Sequence, residues 1–121
     1  MQIAQKNFYK KLLGRVGEKK AVDFLKDKGY KILETNYKTH IGEIDIIAED
    51  KGVITFVEVK LRSSYDYGTG AEAVNYKKQE KYFKVATEYL VRNGKTECAC
   101  RFDVVEIQDG QINLIIDAFC M

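Results

Sequence analysis

The sequence has no long hydrophobic run, no proline and only one histidine among its 121 residues. Its longest unbroken apolar stretch has four residues, at 118–121, far short of the roughly 20 that a membrane-spanning helix needs. No linker-like or low-complexity stretch divides the chain, so we expect one domain over residues 1–121. The lone histidine has no partner for a histidine-based site. The sequence also lacks the serine elbow of hydrolases and a glycine-rich phosphate loop.

Cysteine is scarce, with three residues in the chain. Cys98, Cys100 and Cys120 form no even set for a disulfide framework, and no second ligand pair lies near Cys98 and Cys100 to complete a zinc site. The basic residues near the N-terminus are not followed by the apolar segment of a signal peptide. We therefore predict reduced thiols and a cytoplasmic protein that does not enter the membrane.

Charge is unevenly distributed, although the chain carries a formal net charge of only +2. Residues 1–38 carry ten basic and four acidic side chains, whereas residues 39–59 carry one basic and five acidic side chains. Residues 60–101 are basic again, with nine basic and five acidic side chains. An acidic segment between two basic ones indicates a cation site beside a surface for a polyanion. The alternative is that the lysines only solvate helix faces.

Apolar periodicity and turn residues predict an α/β protein with the element order α-β-β-β-α-β-β. Gly29 lies where a helix C-cap glycine belongs, and the turns Asp50-Lys51-Gly52 and Asp109-Gly110 each separate two strand-like segments. This order fits an α/β/α sandwich, in which helices pack on the faces of a mixed central sheet. The predicted helices span residues 5–28 and 71–92, and the predicted strands span residues 30–37, 43–49, 53–61, 101–107 and 111–118.

Glu18 is the acidic residue on the apolar side of the first predicted helix. At about 100° per residue it falls in the same arc as Gly14, Gly17, Ala21 and Leu25. The Glu18 carboxylate is therefore predicted to face the sheet instead of solvent.

Charged residues also interrupt the two central strand segments. Because strand side chains alternate, Glu58 and Lys60 share one face of their strand, and Asp45 shares a face with Ile47 on the preceding strand. Asp45 lies opposite Val57 if the turn has three residues and opposite Glu58 if it has four, and the sequence leaves this register open. In the four-residue version, or with a bulge, Asp45 and Glu58 are side by side.

Two adjacent carboxylates repel each other unless a cation lies between them. A hard divalent ion with oxygen ligands, such as Mg²⁺ or Mn²⁺, meets this need. Lys60 could then hold a water or neutralise charge that develops on a phosphate, and Glu18 could add a third carboxylate. The alternative is an ordinary Glu–Lys pair near a strand end, with Asp45 in a turn.

The residues Asp45 and Glu58-Val59-Lys60 resemble the D…(D/E)-x-K signature of the PD-(D/E)xK nuclease superfamily, which includes restriction endonucleases and archaeal Holliday-junction resolvases. Ile44 stands where the motif's name has proline. More closely, the chain resembles the YraN-like family of uncharacterised bacterial proteins over about residues 14–107. The matching stretches are Gly14-x-x-Gly17-Glu18-x-x-Ala21, Gly29-Tyr30, Asn36-Tyr37, Gly42-Glu43-Ile44-Asp45, Phe56-Val57-Glu58-Val59-Lys60-x-Arg62, Gly68, Lys78-Gln79 and Arg101-Phe102-Asp103.

This resemblance implies a restriction endonuclease-like α/β/α sandwich and a set of site residues. Asp45 and Glu58 would be metal ligands, together with the backbone carbonyl of Val59. Lys60 would be the catalytic lysine. Glu18 would correspond to the first-helix glutamate of resolvase-type nucleases.

The second predicted helix carries a row of lysines that could contact phosphates. Lys77, Lys81 and Lys84 fall within an arc of about 60°, although a solvated helix face would look the same. Gln79 lies in the apolar arc and resembles the post-motif glutamine of some nucleases of this superfamily; a buried glutamine bonded to backbone is the alternative. The predicted nucleic-acid contacts are Arg62, Lys77, Lys78, Gln79, Lys81 and Lys84.

The predicted function is a Mg²⁺- or Mn²⁺-dependent nuclease that hydrolyses phosphodiester bonds in DNA, in preference to RNA, with branched or structured DNA as a candidate substrate. One alternative is a non-catalytic nucleic-acid-binding adaptor that keeps a nuclease-like fold. Another is a structural domain whose carboxylates pair with lysines. A homodimer stays open, because resolvase-like enzymes make paired cuts.

Overall fold

A computed structural model describes residues 2–62 and 76–119, with side chains from residue 14 onward. The element order is α-β-β-β-α-β-β, as predicted from the sequence. The residues predicted to start the second helix, 71–75, lie outside the described ranges. Among the described helices, none combines the length and apolarity needed to cross a bilayer. The elements are α1 (Gln2–Asp27), β1 (Lys31–Lys38), β2 (Glu43–Asp50), β3 (Val53–Arg62), α2 (Tyr76–Arg92), β4 (Cys100–Gln108) and β5 (Gln111–Phe119).

The five strands form a mixed sheet in the spatial order β1-β2-β3-β4-β5. The β3–β4 pair is parallel and the other three pairs are antiparallel. A parallel connection needs a crossover, and the segment between β3 and β4 contains α2. The predicted α/β class and mixed sheet are therefore confirmed.

The two helices pack on opposite faces of the sheet, each over its own hydrophobic cluster. On one face, Phe56 and Phe102 stack with ring centroids 5.4 Å apart and pack against the α2 residues Tyr82 and Tyr89. The other face is covered by α1, and its cluster contains the following residues: Ala21, Leu25, Ile46, Ala48, Val57 and Val105. Burial of these side chains on both faces fixes the layers α1, sheet and α2.

The turn between β2 and β3 sets the register of the central hairpin. Asp50 pairs with Val53, so Lys51 and Gly52 form a two-residue loop, with φ angles of 50° and 86°. Positive φ at both positions belongs to a type I′ turn, which suits the twist of a hairpin. The ladder then runs to the pair Ile46–Val57, and its continuation places Asp45 beside Glu58. The two loop residues and the flanking pair Asp50–Val53 together make a four-residue turn, so this is the register of the four-residue version considered above.

The hairpin ladder stops just before Asp45. The backbone N–H of Val59 donates to the Asp45 carboxylate at 2.8 Å, so a side chain takes the place of a strand carbonyl. Strict alternation fails at the same point, because Ile44 packs in the cluster under α2 with Ile47, although alternation puts it on the face of Ile46. The alternation of β2 is therefore interrupted next to Asp45, whose carboxylate reaches the backbone of β3 at Val59.

Gly52→Ala is expected to lower the free energy of unfolding by about 1 kcal/mol, because an alanine at φ 86° is strained. Chemical denaturation measures the change. Gly14→Ala is the control, since a Cβ at Gly14 meets nothing within 4 Å and alanine favours the helix, so it should be neutral or stabilising. Equal stability of the two variants would contradict the type I′ assignment.

Candidate metal and nucleic-acid site

Asp45 and Glu58 form a pair of carboxyl groups where β2 and β3 separate. Glu58 is only 7% exposed, and Asp45 is half-buried. Their carboxyl groups interact by charge and by a hydrogen bond when Asp45 is protonated. Asp45 Oδ2 also accepts the Val59 N–H, which fixes its orientation. The structure thus brings these two predicted ligands together.

The environment of Asp45 opposes its negative charge. Burial, and then the charge of Glu58, raises the pKa of Asp45 from 3.8 to about 8, against the opposing effect of the hydrogen bond from Val59. A carboxyl group with such a raised pKa gains from a nearby cation, because a positive charge compensates both its desolvation and its repulsive neighbour. The pair therefore has the electrostatic character of a cation site.

Both carboxylate oxygens of Glu58 are bonded to side chains of α2. Lys78 Nζ lies 2.8 Å from Glu58 Oε1, and the Tyr82 hydroxyl donates to Glu58 Oε2. Lys78 and Tyr82 are four residues apart, so one face of the helix supplies both donors. Burial lowers the pKa of Lys78, but the hydrogen bond and charge of Glu58 outweigh it, and the net pKa is raised. Lys78 is therefore a salt-bridge partner of the predicted metal ligand.

Lys60 is half-buried at the same end of β3, two residues beyond Glu58. Burial lowers the pKa of Lys60, and the positive charge of Lys78 lowers it further, although Glu58 and Asp45 act in the opposite direction. Two ammonium groups thus lie beside two carboxyl groups. This arrangement can bind an anion next to a cation, as a phosphate beside a divalent ion requires.

Glu18 lies near Asp45 but outside this close group, and its part as a third metal ligand stays a prediction. Its charge reaches Asp45 weakly, as the last of the influences that raise the Asp45 pKa. The helix comes close to the sheet here, because a Cβ at Gly17 would lie 2.8 Å from Leu61 Cδ2. The half-buried Glu18 side chain lines a separate cleft of about 450 Å³ between α1 and β1, together with Thr35 and other residues.

Asp45 and Glu58 open into a cleft of about 350 Å³ between β2 and α2. The wall contains Glu43, Lys78 and Lys81 in addition to the two carboxyl groups. Three lysines of α2 are exposed on the side of the helix away from its buried face, as the sequence pattern predicts, and their contact with nucleic acid stays a prediction. These lysines are Lys77, Lys81 and Lys84.

Two other predicted nucleic-acid contacts lie in more enclosed places. The Arg62 side chain is 7% exposed, and its Nη1 lies 3.5 Å from Glu106 Oε2 on β4. Gln79 is half-buried on α2 and has its own interaction partner. Arg62 therefore has a partner within the sheet and offers little surface to a phosphate.

The contact between Tyr82 and Glu58 was not predicted from the sequence. The spacing of Lys78 and Tyr82 shows that they share a helix face, and an amphipathic helix must pack on the sheet. The missing information is where along β3 the helix packs, and that depends on tertiary contacts. The Lys78–Glu58 pair was missed for the same reason.

Comparison with protein families and curated proteins shows which family the chain belongs to. Residues 17–107 match the model described as "Uncharacterised protein family UPF0102". The chain belongs to this family. A UPF0102 protein of Alkaliphilus oremlandii is 53% identical over 100 residues, which are 81% of this chain and 86% of the relative. Relatives from Alkaliphilus metalliredigens and Caldanaerobacter subterraneus are 46% and 44% identical, over 90% and 94% of this chain and 98% and 99% of the relatives.

The predicted family-level resemblance is thus confirmed, and the family match contains the whole carboxylate and lysine group. Glu18, Asp45, Glu58, Lys60 and Lys78 all lie within residues 17–107. The names of the UPF0102 relatives state no activity, so the chemistry of the site has to be argued from its geometry.

The donor set fits a magnesium-type ion better than a fully protein-bound metal. Within residues 2–62 and 76–119, no three histidine, cysteine, aspartate or glutamate side chains are grouped closely enough to hold a metal. Asp45 and Glu58 are two hard oxygen donors, and the backbone carbonyl of Val59, the residue after Glu58, is a further candidate donor. Mg²⁺ is commonly held by one or two carboxylates, with water and substrate phosphate completing its shell.

Asp45→Asn is expected to stabilise the metal-free protein at alkaline pH. An acid whose pKa is raised on folding binds its proton more tightly in the folded state, so stability falls as pH rises from about 4 to about 8. Asparagine keeps an acceptor for Val59 but carries no charge. In EDTA, the variant should therefore gain at least about 2 kcal/mol over the wild type between pH 5 and pH 8.

Urea denaturation at both pH values measures this gain. Asp23→Asn, an exposed aspartate of α1, is the matched control and should show no such gain. A free-energy difference between Asp45→Asn and wild type that does not change with pH would contradict the assigned burial and charge repulsion.

Proposed function

We propose that this UPF0102 protein is a divalent-metal-dependent nuclease that hydrolyses phosphodiester bonds. The observation that carries the proposal is the half-buried Asp45 beside the buried Glu58, with Lys60 from the same strand next to them. Such a group combines ligands for a cation with a positive charge for a phosphate, as the resemblance to the PD-(D/E)xK signature implies. Ordinary structural carboxylates gain nothing from being placed against each other.

Each residue has a defined part in this proposal. Asp45 and Glu58 would hold the ion, with the Val59 carbonyl as a further ligand, and the ion would supply a Lewis acid for the hydrolysis. The Val59 N–H and the Tyr82 hydroxyl orient the two carboxylates. Lys60 neutralises charge on the phosphate during attack. Glu18 acts on Asp45 through its charge.

The proposed substrate is DNA, held by its phosphates. The exposed row Lys77, Lys81 and Lys84 lies on the helix that forms one wall of the cleft, and lysines of this kind position a backbone without reading sequence. DNA is proposed ahead of RNA on the resemblance to resolvases, and branched DNA for the same reason. A cytoplasmic location and a single domain over residues 1–121 belong to this proposal.

A second candidate function is a nucleic-acid-binding adaptor that does not cut. The salt bridge between Lys78 and Glu58 favours it, because a carboxylate that already has a counterion does not require a metal. The lysine row would then bind phosphates while the carboxyl group served as structure.

A cleavage assay separates the two. Labelled linear, flap and four-way-junction DNA, and RNA of matched sequence, are incubated with the protein in Mg²⁺, Mn²⁺ or EDTA. The nuclease proposal expects cutting that needs metal and is lost in Glu58→Gln. Glu97→Gln, an exposed glutamate outside the site, is the matched control and should cut normally.

The other outcomes decide against the nuclease. If the protein binds DNA without cutting it in any metal, and Glu58→Gln binds DNA equally well, the adaptor is supported. The absence of both binding and cutting, with no effect of Mg²⁺ or Mn²⁺ on stability, leaves the carboxyl pair as a structural feature.

A further inference from the structure

Both carboxylate oxygens of Glu58 accept hydrogen bonds from side chains of α2. One oxygen accepts from Lys78 at 2.8 Å and the other from the Tyr82 hydroxyl. The two donors differ in their surroundings. Tyr82 is 7% exposed and packs in the cluster under α2, whereas the Lys78 side chain is 38% exposed at the wall of the cleft. Tyr82 is therefore fixed by packing, whereas the more exposed Lys78 side chain can move away from Glu58.

Lys78 is placed to compensate the charge of the whole carboxyl pair. Its ammonium group interacts electrostatically with Asp45 as well as with Glu58. A divalent ion bound by the same two carboxyl groups has to occupy the same small region. An ion held by Glu58 and an ammonium group bonded to the same carboxylate repel each other strongly at this distance, so the ion and the Lys78 ammonium group compete for Glu58.

We propose that Lys78 is an exchangeable counterion: it holds Glu58 when the site is metal-free, and a divalent ion displaces it into the cleft, where it pairs with a substrate phosphate. This inference rests on the metal site of the proposed function. Tyr82 keeps the Glu58 carboxylate in place during the exchange. Binding of a phosphate by the released Lys78 favours the metal-bound state, so metal and phosphate binding assist each other.

The test is the affinity for Mn²⁺ and Mg²⁺ of the protein without nucleic acid, measured by isothermal titration calorimetry. Removal of a competing cation should strengthen metal binding, so Lys78→Met is expected to bind about tenfold more tightly than wild type. Lys81→Met removes the same charge from the same cleft wall and is the matched control, with a change of less than about threefold. Lys78→Arg keeps a cation and should bind no more tightly than wild type.

Thermal unfolding provides a second readout that does not depend on activity. Lys78→Met should melt below the wild type in EDTA, because it removes the salt-bridge partner of Glu58, and should gain more than the wild type from added Mn²⁺. A Lys78→Met affinity equal to that of Lys81→Met, or weaker than wild type, overturns the inference.

The result also distinguishes this inference from the nuclease proposal. If the wild type cuts DNA in the presence of metal but Lys78→Met binds metal no more tightly, only the exchange mechanism is refuted. If Lys78→Met binds metal more tightly but the wild type cuts no substrate, only the nuclease proposal is refuted. Failure of all variants to bind a divalent ion overturns both.

Discussion

Lys60→Met is expected to lower the single-turnover rate of metal-dependent DNA cutting by about two to four orders of magnitude, the range for loss of a group that stabilises transition-state charge or transfers a proton. Lys60 is half-buried and lies two residues after Glu58, on the same face of β3. Methionine has a similar length and removes only the charge. Because Lys60 is not a ligand, affinity for Mn²⁺ should be retained or slightly increased, unlike in Glu58→Gln.

The control for this prediction is Lys51→Met. Lys51 is an exposed lysine in the turn at the opposite end of the β2–β3 hairpin, so its loss should leave cutting within about twofold of wild type. A Lys60→Met protein that cuts at the wild-type rate would exclude Lys60 from the chemistry. Loss of metal affinity together with activity would instead make Lys60 a structural part of the ion site.

Much of the fold could be predicted because the local signals agree. The turn at Lys51-Gly52, the C-cap glycine Gly29 and the alternating pattern of β3 each point to the same element order. The hairpin register could not be settled, since a three-residue and a four-residue turn both suit Asp50-Lys51-Gly52. The observed turn has two residues with positive φ, and a lysine at the first of them is an unusual choice for a type I′ turn.

The candidate site was predictable only in part, and the limit is set by tertiary packing. The approach of Asp45 to Glu58 follows from the hairpin, which is local in sequence. The Lys78–Glu58 salt bridge joins positions 20 residues apart through the packing of α2 on the sheet, and no periodicity specifies that. Arg62 shows the same limit: its contact with nucleic acid stays a prediction, and its salt bridge to Glu106 of β4 was not predicted from the sequence.

A second charged network lies at the other end of the sheet and was visible in the sequence only as the stretch Arg101-Phe102-Asp103. Arg101 Nε donates to both oxygens of Asp103, at 3.0 and 3.1 Å, and its Nη2 lies 2.9 Å from Asp50 and 2.7 Å from the Tyr30 hydroxyl. Asp103 is completely buried. The ladder between β4 and β5 is irregular here, and the Asp117 N–H donates to Asp103 at 2.8 Å. Arg101 therefore links β4 to β2 and to the short segment between α1 and β1.

Arg101→Met is expected to lower the free energy of unfolding by about 3–5 kcal/mol, because it leaves Asp103 buried without a counterion. Burial already raises the pKa of Asp103, and Arg101 opposes that increase, so the pKa rises further in the variant. The folded variant then holds the Asp103 proton to higher pH than the wild type does. The destabilisation should consequently be smaller at pH 5 than at pH 8.

Urea denaturation at the two pH values tests this, with two further variants as references. Arg92→Met removes an exposed arginine whose guanidinium lies 3.8 Å from Glu88, and should cost less than about 0.5 kcal/mol. In Arg101→Met combined with Asp103→Asn, the uncompensated charge is absent, so the double variant should be more stable at pH 8 than Arg101→Met alone. A double variant that loses the sum of the two single losses would show that Arg101 and Asp103 stabilise the sheet independently, and would attribute the role of Arg101 to its contacts with Asp50 and Tyr30.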